Sequence, residues 1–183
     1  QWGSTFFFVD MDYDVDDVEG ISLAYWEIAR DLKFWDAPLT FHVEFNGGFG
    51  QFSLPDGNKQ AYDINNMWLA GAAYSFNSKD FSKGITFQAL YKYIRNKHNL
   101  AYQLTAIWHA HFLSGRLSFL GFADFWKEKN QMLNTTHIFL TEPQLWYNFN
   151  DHFSLGSEVE LGYNFGNLKG LAIMPTLGAK WSF

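Results

Sequence analysis

The sequence predicts an all-β fold, a transmembrane antiparallel up-and-down β-barrel of about ten strands. Three observations carry this prediction. Apolar and polar residues alternate with period two through segment after segment, which places one set on each face of a strand. The segments run to about 10–14 residues, whereas strands of globular proteins cluster near 5–6 and a tilted membrane-crossing strand needs about 9–11. Aromatic residues make up 20% of the chain (20 Phe, 8 Trp, 9 Tyr), while charged residues make up only 17%, against roughly 25% in an average soluble domain.

Composition excludes several alternatives. Mean hydropathy is -0.20, and no run approaches the ~18 consecutive apolar residues of a membrane-spanning helix. A membrane barrel hides its hydrophobicity by alternation, which fits both facts. The 183 residues are expected to form a single domain, 1–183. There is no cysteine, so neither a disulfide framework nor a thiolate metal site is available. A net charge of -6 argues against a nucleic-acid polymer as partner. The first residues, Gln1-Trp-Gly-Ser, lack the basic and apolar regions of a signal peptide.

The strands follow in order. The first, about Ser4 to Tyr13, sets Phe6, Phe8, Asp10 and Asp12 against Phe7, Val9, Met11 and Tyr13, and the acidic stretch from Asp14 to Glu19 follows as a loop. The second, Ile21 to Asp31, opposes Trp26 and Ile28 to Tyr25 and Glu27. The third, Leu39 to Phe49, opposes Phe41, Val43 and Phe45 to His42, Glu44 and Asn46. Pro55-Asp-Gly-Asn is a strong turn signal within residues 51–60. The fourth, Tyr62 to Phe76, sets Trp68, Tyr74 and Phe76 against Leu69, Ala73 and Ser75; the fifth, Ile85 to Arg95, sets Phe87, Tyr91 and Tyr93 against Gln88, Leu90 and Lys92. The sixth, Leu100 to Leu113, opposes Leu104, Trp108 and Phe112 to Gln103, His109 and His111, and Ser114-Gly115 reads as a two-residue hairpin connection.

The seventh, Arg116 to Lys127, sets Phe119 and Phe125 against Asp124 and Trp126; the eighth, Thr136 to Phe149, sets Phe139, Leu145 and Tyr147 against Glu142, Gln144 and Trp146. Asn150-Asp151 reads as a second tight turn. The ninth, His152 to Phe165, opposes Leu155, Val159 and Leu161 to Glu158 and Glu160, and the last places Leu171, Ile173, Leu177 and Trp181 against Thr176, Gly178 and Lys180. Connections after strands one, three and seven are expected to be longer than those after six and eight, the asymmetry of outer loops and periplasmic turns. Pro143 and Pro175 fall inside strands, where each removes a ladder donor, so a bulge is expected at one or both, and the faces around them stay open.

In a membrane barrel the aromatic face meets lipid and the polar face meets a wet lumen. A soluble ligand-binding barrel would reverse the two. On the membrane reading the lumen is lined by Asp10, Asp12, Glu27, His42, Glu44, Lys92, His109 and His111, and further along by Asp124, Trp126, Glu142, Trp146, Glu158, Glu160 and Lys180. The surplus of carboxylates favours cations and offers acceptors to polar solutes. A plugged barrel, with Lys180 paired to acids of the neighbouring strand, is the competing arrangement.

No metal site is predicted. His109, His111 and Asp124 fall short of a diagnostic ligand set, and Asp10, Asp12, Asp14 and Asp16 lack the glycine of a calcium loop. No cofactor is predicted. Neither His42 with Glu44 nor His109 with Asp124 matches the motif of an omptin-type protease, and no barrel-phospholipase motif occurs, so the chain is not expected to be an enzyme.

The terminal alternation ending in Phe183 resembles the closing strand of bacterial outer-membrane barrels. The runs Gly3-Ser-Thr-Phe-Phe-Phe-Val-Asp-Met-Asp-Tyr13, Ala24-Tyr-Trp-Glu-Ile-Ala-Arg30, Phe41-His-Val-Glu-Phe-Asn-Gly-Gly48 and Leu145-Trp-Tyr-Asn-Phe149 resemble the nucleoside-specific channel-forming (Tsx-like) family and its relatives. That resemblance implies a twelve-stranded barrel, hence a hairpin before Gln1, and a narrow lumen that passes nucleosides past stacked aromatics; Phe6, Phe8, Tyr25, Phe122, Trp126 and Trp146 are the inner aromatics here. The expected function is a narrow outer-membrane channel for small polar solutes. Expected partners are the lipid bilayer, lipopolysaccharide and the solute. The alternative is a non-transporting structural barrel, or a subunit of a larger outer-membrane complex with partner subunits.

Overall fold

A computed structural model describes residues 2–15, 17–166 and 168–183. The strands are β1 (Gly3–Tyr13), β2 (Ile21–Leu32), β3 (Leu39–Ser53), β4 (Lys59–Asn77), β5 (Lys83–Ile94), β6 (Lys97–Phe112), β7 (Leu117–Asn130), β8 (Thr135–Thr141), β9 (Gln144–Asn148), β10 (Phe153–Tyr163) and β11 (Leu171–Trp181). No described residue is helical. The strands form one 11-stranded sheet in the order β1-β2-β3-β4-β5-β6-β7-β8-β10-β11, with β9 beside β7 and β10. Neighbours in sequence are neighbours in the sheet, so the topology is the up-and-down meander that period-two segments joined by short connections dictate.

β8 and β9 are two pieces of one crossing. β7 pairs Ala123 with Thr141 and Leu120 with Gln144, three residues back on one strand and three forward on the other. β10 pairs Leu161 with Thr141 and Glu158 with Gln144, again in step. Counted this way the eleven strands are the ten segments expected from the sequence.

The expected bulges at the two prolines are therefore corrected. At Pro143 the ladder loses a donor but the proline carbonyl still accepts from Val159 N–H at 3.1 Å, and register resumes unshifted. Pro175 lies opposite Val159 in a β10–β11 ladder that runs without a shift. Hydrogen-bonded and non-hydrogen-bonded pairs alternate along such a ladder. Ser182 N–H donates to His152 O, which makes Val159↔Pro175 a non-hydrogen-bonded pair. The missing N–H of Pro175 is thus on the side of β11 away from β10, where an end strand tolerates proline. Neither proline flips a face.

The connections also differ from expectation. β3 and β4 run on to Ser53 and from Lys59, so the turn shrinks to residues 54–58. Residues 33–38 form a longer connection than residues 95–96, against the expected alternation of lengths. The connections 113–116 and 149–152 are wider than the two-residue hairpins expected; Leu113 and Ser114 both adopt positive φ there.

The chain gathers into two compact units. One comprises Gln1–Ala72 and Leu90–Ala101, the other Ala73–Ala89 and Tyr102–Phe183, and β4, β5 and β6 give residues to both. In the first, β1 pairs β2 and β2 pairs β3 in register, with one irregularity at Asp12/Tyr13. In the second, β6, β7, β9, β10 and β11 pair in unbroken ladders, and the β7–β8 ladder shifts at Lys127/Asn130.

Large apolar residues are exposed on one face of the strands while polar ones are buried on the other, beside small and aliphatic residues. Along β5, Gln88 and Lys92 are buried while Phe87 and Tyr91 are exposed, Lys92 at 3% and Tyr91 at 53%. On β3, His42 and Asn46 are buried and Phe41 and Phe49 exposed. Trp68 and Trp181 on the aromatic face are well exposed and Phe119 is exposed, whereas Trp108 and Leu161 are half-buried. Trp108 stacks on Phe119 with ring centroids 6.0 Å apart and lies over Gly121.

Glycines under neighbouring aromatic rings fix the packing of the second unit. Trp146 lies across Gly156 and Gly178, which face each other in the β10–β11 ladder. A Cβ at Gly156 would meet Leu145 O and the indole at 2.5 Å; one at Gly178 would meet the indole at 3.2 Å. Gly156→Val is expected to lower stability by about 1–3 kcal/mol, the cost of overpacking, and Gly178→Ala by less. Urea unfolding checks the ranking, and equal midpoints for Gly156→Val and the parent would show that the indole does not rest on that strand.

The turn after β4 is built on Asp80. Its carboxylate accepts from Ser78 Oγ at 2.6 Å, Ser82 N at 3.2 Å and Ser82 Oγ at 2.9 Å. These bonds, the serine hydroxyl first, favour the ionised form and pull its pKa down from 3.8 to about 2. A depressed pKa stabilises the turn above pH ~4, and the contribution is lost as pH falls from there through about 2. The Ser82 amide shift is expected to titrate with a midpoint near that lower value and to lose this step in Asp80→Asn. A midpoint at the ordinary carboxylate value would mean the bonds are not made in solution.

Candidate functional site

Directly opposed residues of an antiparallel ladder share a face, so register alone assembles the polar face in each unit. In the first unit it collects Asp10 opposite Tyr25, Phe8 opposite Glu27, Glu27 opposite Asn46, Asp31 opposite His42 and Ala29 opposite Glu44. Phe6 and Phe8 stack on this face at 6.3 Å. Asp12 lies beyond Asp10 on the same side, and Asp16 lies outside the described residues. Lys92 is on the buried side of β5.

The centre of this unit is His42. Its Nδ1 is 2.9 Å from Asp31 Oδ1 and its Nε2 is 3.0 Å from Glu44 Oε2. Both bonds are made together only when both ring nitrogens carry hydrogen. His42 and Glu44 were both expected on the polar face from the sequence; Asp31 was not. Its only signal is the β2–β3 register, which depends on the length of the connection between the two strands. Tyr25 donates its hydroxyl to Glu27 at 2.7 Å, fixing that carboxylate on the same face.

In the second unit the polar face carries His111 opposite Ser118, His109 opposite Leu120, Thr105 opposite Asp124 and Gln103 opposite Trp126. The histidines do not meet Asp124. His111 Nδ1 is 2.9 Å from Ser118 Oγ, and His109 Nε2 is 3.2 Å from Phe81 O. Asp124 instead accepts from Thr105 Oγ1, which in turn is within 3.2 Å of Gln103 Nε2. Among the described residues no three His, Cys, Asp or Glu side chains converge as a metal site would need.

Trp126 and Trp146 have different surroundings. Trp126, 7% exposed, packs with Ile138 and Leu140, and with Phe122 and Phe165 against them, making an apolar island on the polar face. Its Nε1 donates to Glu128 at 2.8 Å. Trp146 donates from Nε1 to Gln144 Oε1 at 2.9 Å, and Gln144 donates to Glu158. Glu142 lies between β8 and β9, two residues before Gln144, and Glu160 lies on β10, two residues after Glu158. The Lys180 ammonium sits over the Trp146 ring, 4.8 Å from its centroid. The competing arrangement put Lys180 against strand carboxylates; the ammonium instead makes this cation–π contact, because the two glycines let the indole lie beneath it.

A family described as Domain of unknown function (DUF5020) matches residues 1–183, and the chain belongs to it. No curated protein and no solved structure matches the chain.

The His42 contacts predict a non-additive mutational response. His42→Ala leaves Asp31 and Glu44 without their shared donor, and is expected to cost more than the ~1 kcal/mol of an exposed pair but less than the roughly 3–5 kcal/mol of a fully buried one, since Asp31 is partly exposed. Adding Asp31→Asn and Glu44→Gln to that variant is expected to recover a large part of the loss. Unfolding midpoints of the single and triple variants measure this, and additive losses would show that the three groups are not coupled.

Proposed function

We propose that this DUF5020 member is a bacterial outer-membrane β-barrel, a narrow, cation-preferring channel for small polar solutes, with nucleosides among the solutes to test first. One observation carries the reading: large apolar rings occupy the exposed face of the strands, while amide, hydroxyl, His42 and Lys92 side chains are buried on the other beside small and aliphatic ones. Water penalises the first arrangement and a bilayer favours it, since only a lipid environment accepts a continuous aromatic exterior.

The distribution of rings in the second unit supports the same reading. At one end of its strands the aromatic face carries Phe76, Phe87, Phe112, Phe149 and Trp181, with the Lys83 ammonium 5.2 Å from the Phe112 ring centroid. At the other end it carries Tyr102, Phe125 and Tyr163, and His137 stacks on Phe125 at 5.5 Å. Between them lie Leu104, Leu145, Leu155, Leu161 and Ile173. From Phe153 to Tyr163 along β10 is roughly 33 Å at about 3.3 Å per residue. A strand tilt of about 40° brings that to about 25 Å, the height of the apolar band between aromatic girdles.

The inward face supports cation preference. Glu44, Asp124, Glu142, Glu158 and Glu160 outnumber the basic groups Lys92 and Lys180 on it, and a surplus of one sign concentrates counter-ions. The apolar island around Trp126 is the observation that favours the alternative of a barrel plugged at that point.

In planar bilayers under a salt gradient, the parent is expected to show a cation-selective reversal potential. Glu158→Gln with Glu160→Gln is expected to move it toward zero while the sheet stays intact. An unchanged potential would remove those carboxylates from selectivity. Protein that neither conducts nor passes nucleosides in liposome-swelling assays would establish the plugged barrel instead.

A further inference from the structure

We propose that the polar face of β2 and β3 is a binding site for an organic ammonium group. The inference deepens the channel reading, on which its biological role rests, by naming a solute class.

Asn46 provides the starting point. It is 4% exposed, and its Oδ1 is buried without a hydrogen-bond partner among the described residues. A buried carbonyl oxygen left without a donor is costly, and native structures seldom keep one without a reason. The residues beside Asn46 on the polar face of β2 and β3 are acidic. Glu27 lies directly opposite Asn46, and Glu44 lies two residues away on the same face of β3. Side chains so placed are about 5 Å apart at Cβ across the pair and about 7 Å along the strand. Farther along, Asp31 faces His42.

Charge and hydrogen-bonding capacity then select the ligand. Three carboxylates against one imidazole repel an anion. A metal ion lacks its usual set, since no three ligating side chains converge among the described residues. A primary ammonium carries three donors and no acceptor. It can give one hydrogen to Asn46 Oδ1 and others to Glu44, whose carboxylate keeps acceptor capacity beyond the 3.0 Å contact with His42. His42 and Tyr25 hold Glu44 and Glu27 in place from outside the site, so the acceptors are pre-positioned.

Isothermal titration of the detergent-solubilised protein with 1,4-diaminobutane tests this, with 1,4-butanediol as the uncharged counterpart of the same length and sodium chloride as an ionic-strength control. The diamine is expected to bind saturably and the diol not at all. Asn46→Leu replaces an unsatisfied buried amide with an apolar side chain of similar size and should remain folded by circular dichroism. It is expected to weaken diamine binding about tenfold, the equivalent of one hydrogen bond to a charged group. Glu44→Gln is expected to weaken it at least as much and serves as the second variant. Non-saturable uptake, equal binding of the diol, or an unchanged affinity in both variants would overturn the site. Binding is read at equilibrium in micelles and needs no conduction. A protein that binds diamine but does not conduct retires the channel and keeps the site, whereas one that conducts without binding diamine retires the site alone.

Discussion

β2, β3, β5, β6, β7 and β10 all place polar side chains on a buried face, and much of the rest of the structure answers to that constraint. A buried amide or carboxylate costs several kcal/mol unless it is hydrogen-bonded. The polar face is accordingly organised in pairs and chains: Asp31–His42–Glu44, Gln103–Thr105–Asp124, Trp146–Gln144–Glu158. Each chain links neighbouring strands. The side-chain bonds therefore hold register as well as satisfy polarity, since slipping a strand by one residue would send every member to the opposite face.

The exposed face obeys the complementary rule. Its mid-strand residues are largely aliphatic and aromatic, Trp68, Leu104, Leu145 and Leu155 among them, and Arg30 and Lys83 lie toward strand ends. Arg30 is close to the end of β2 and bonds the Thr5 hydroxyl at 2.8 Å; Lys83 begins β5 and covers a phenyl ring. Long side chains at such positions can keep their charge in water while their stems lie on apolar surface.

Glycine and proline, which weaken ordinary strands, are placed where the sheet can use or ignore them. Gly121, Gly156 and Gly178 make room for indoles that cover the backbone beside them. Pro143 keeps the hydrogen bond that its carbonyl can make, and Pro175 needs none on the side where β10 lies. These arrangements explain why register survives both prolines.

The sequence by itself determined the strands, their order and their two faces. Period-two alternation is a local property, and short connections leave few ways to pair consecutive strands. The shared face of His42 with Glu44 and Asn46 was legible for the same reason. Asp31 as the second partner of His42, the separation of His109 and His111 from Asp124, the Lys180 contact with Trp146 and the apolar island around Trp126 were decided only by tertiary structure. Each depends on the stagger between strands. Stagger is set by where connections such as 54–58 and 95–96 begin and by which glycines admit a neighbouring ring, and neither is visible in the alternation of a single strand.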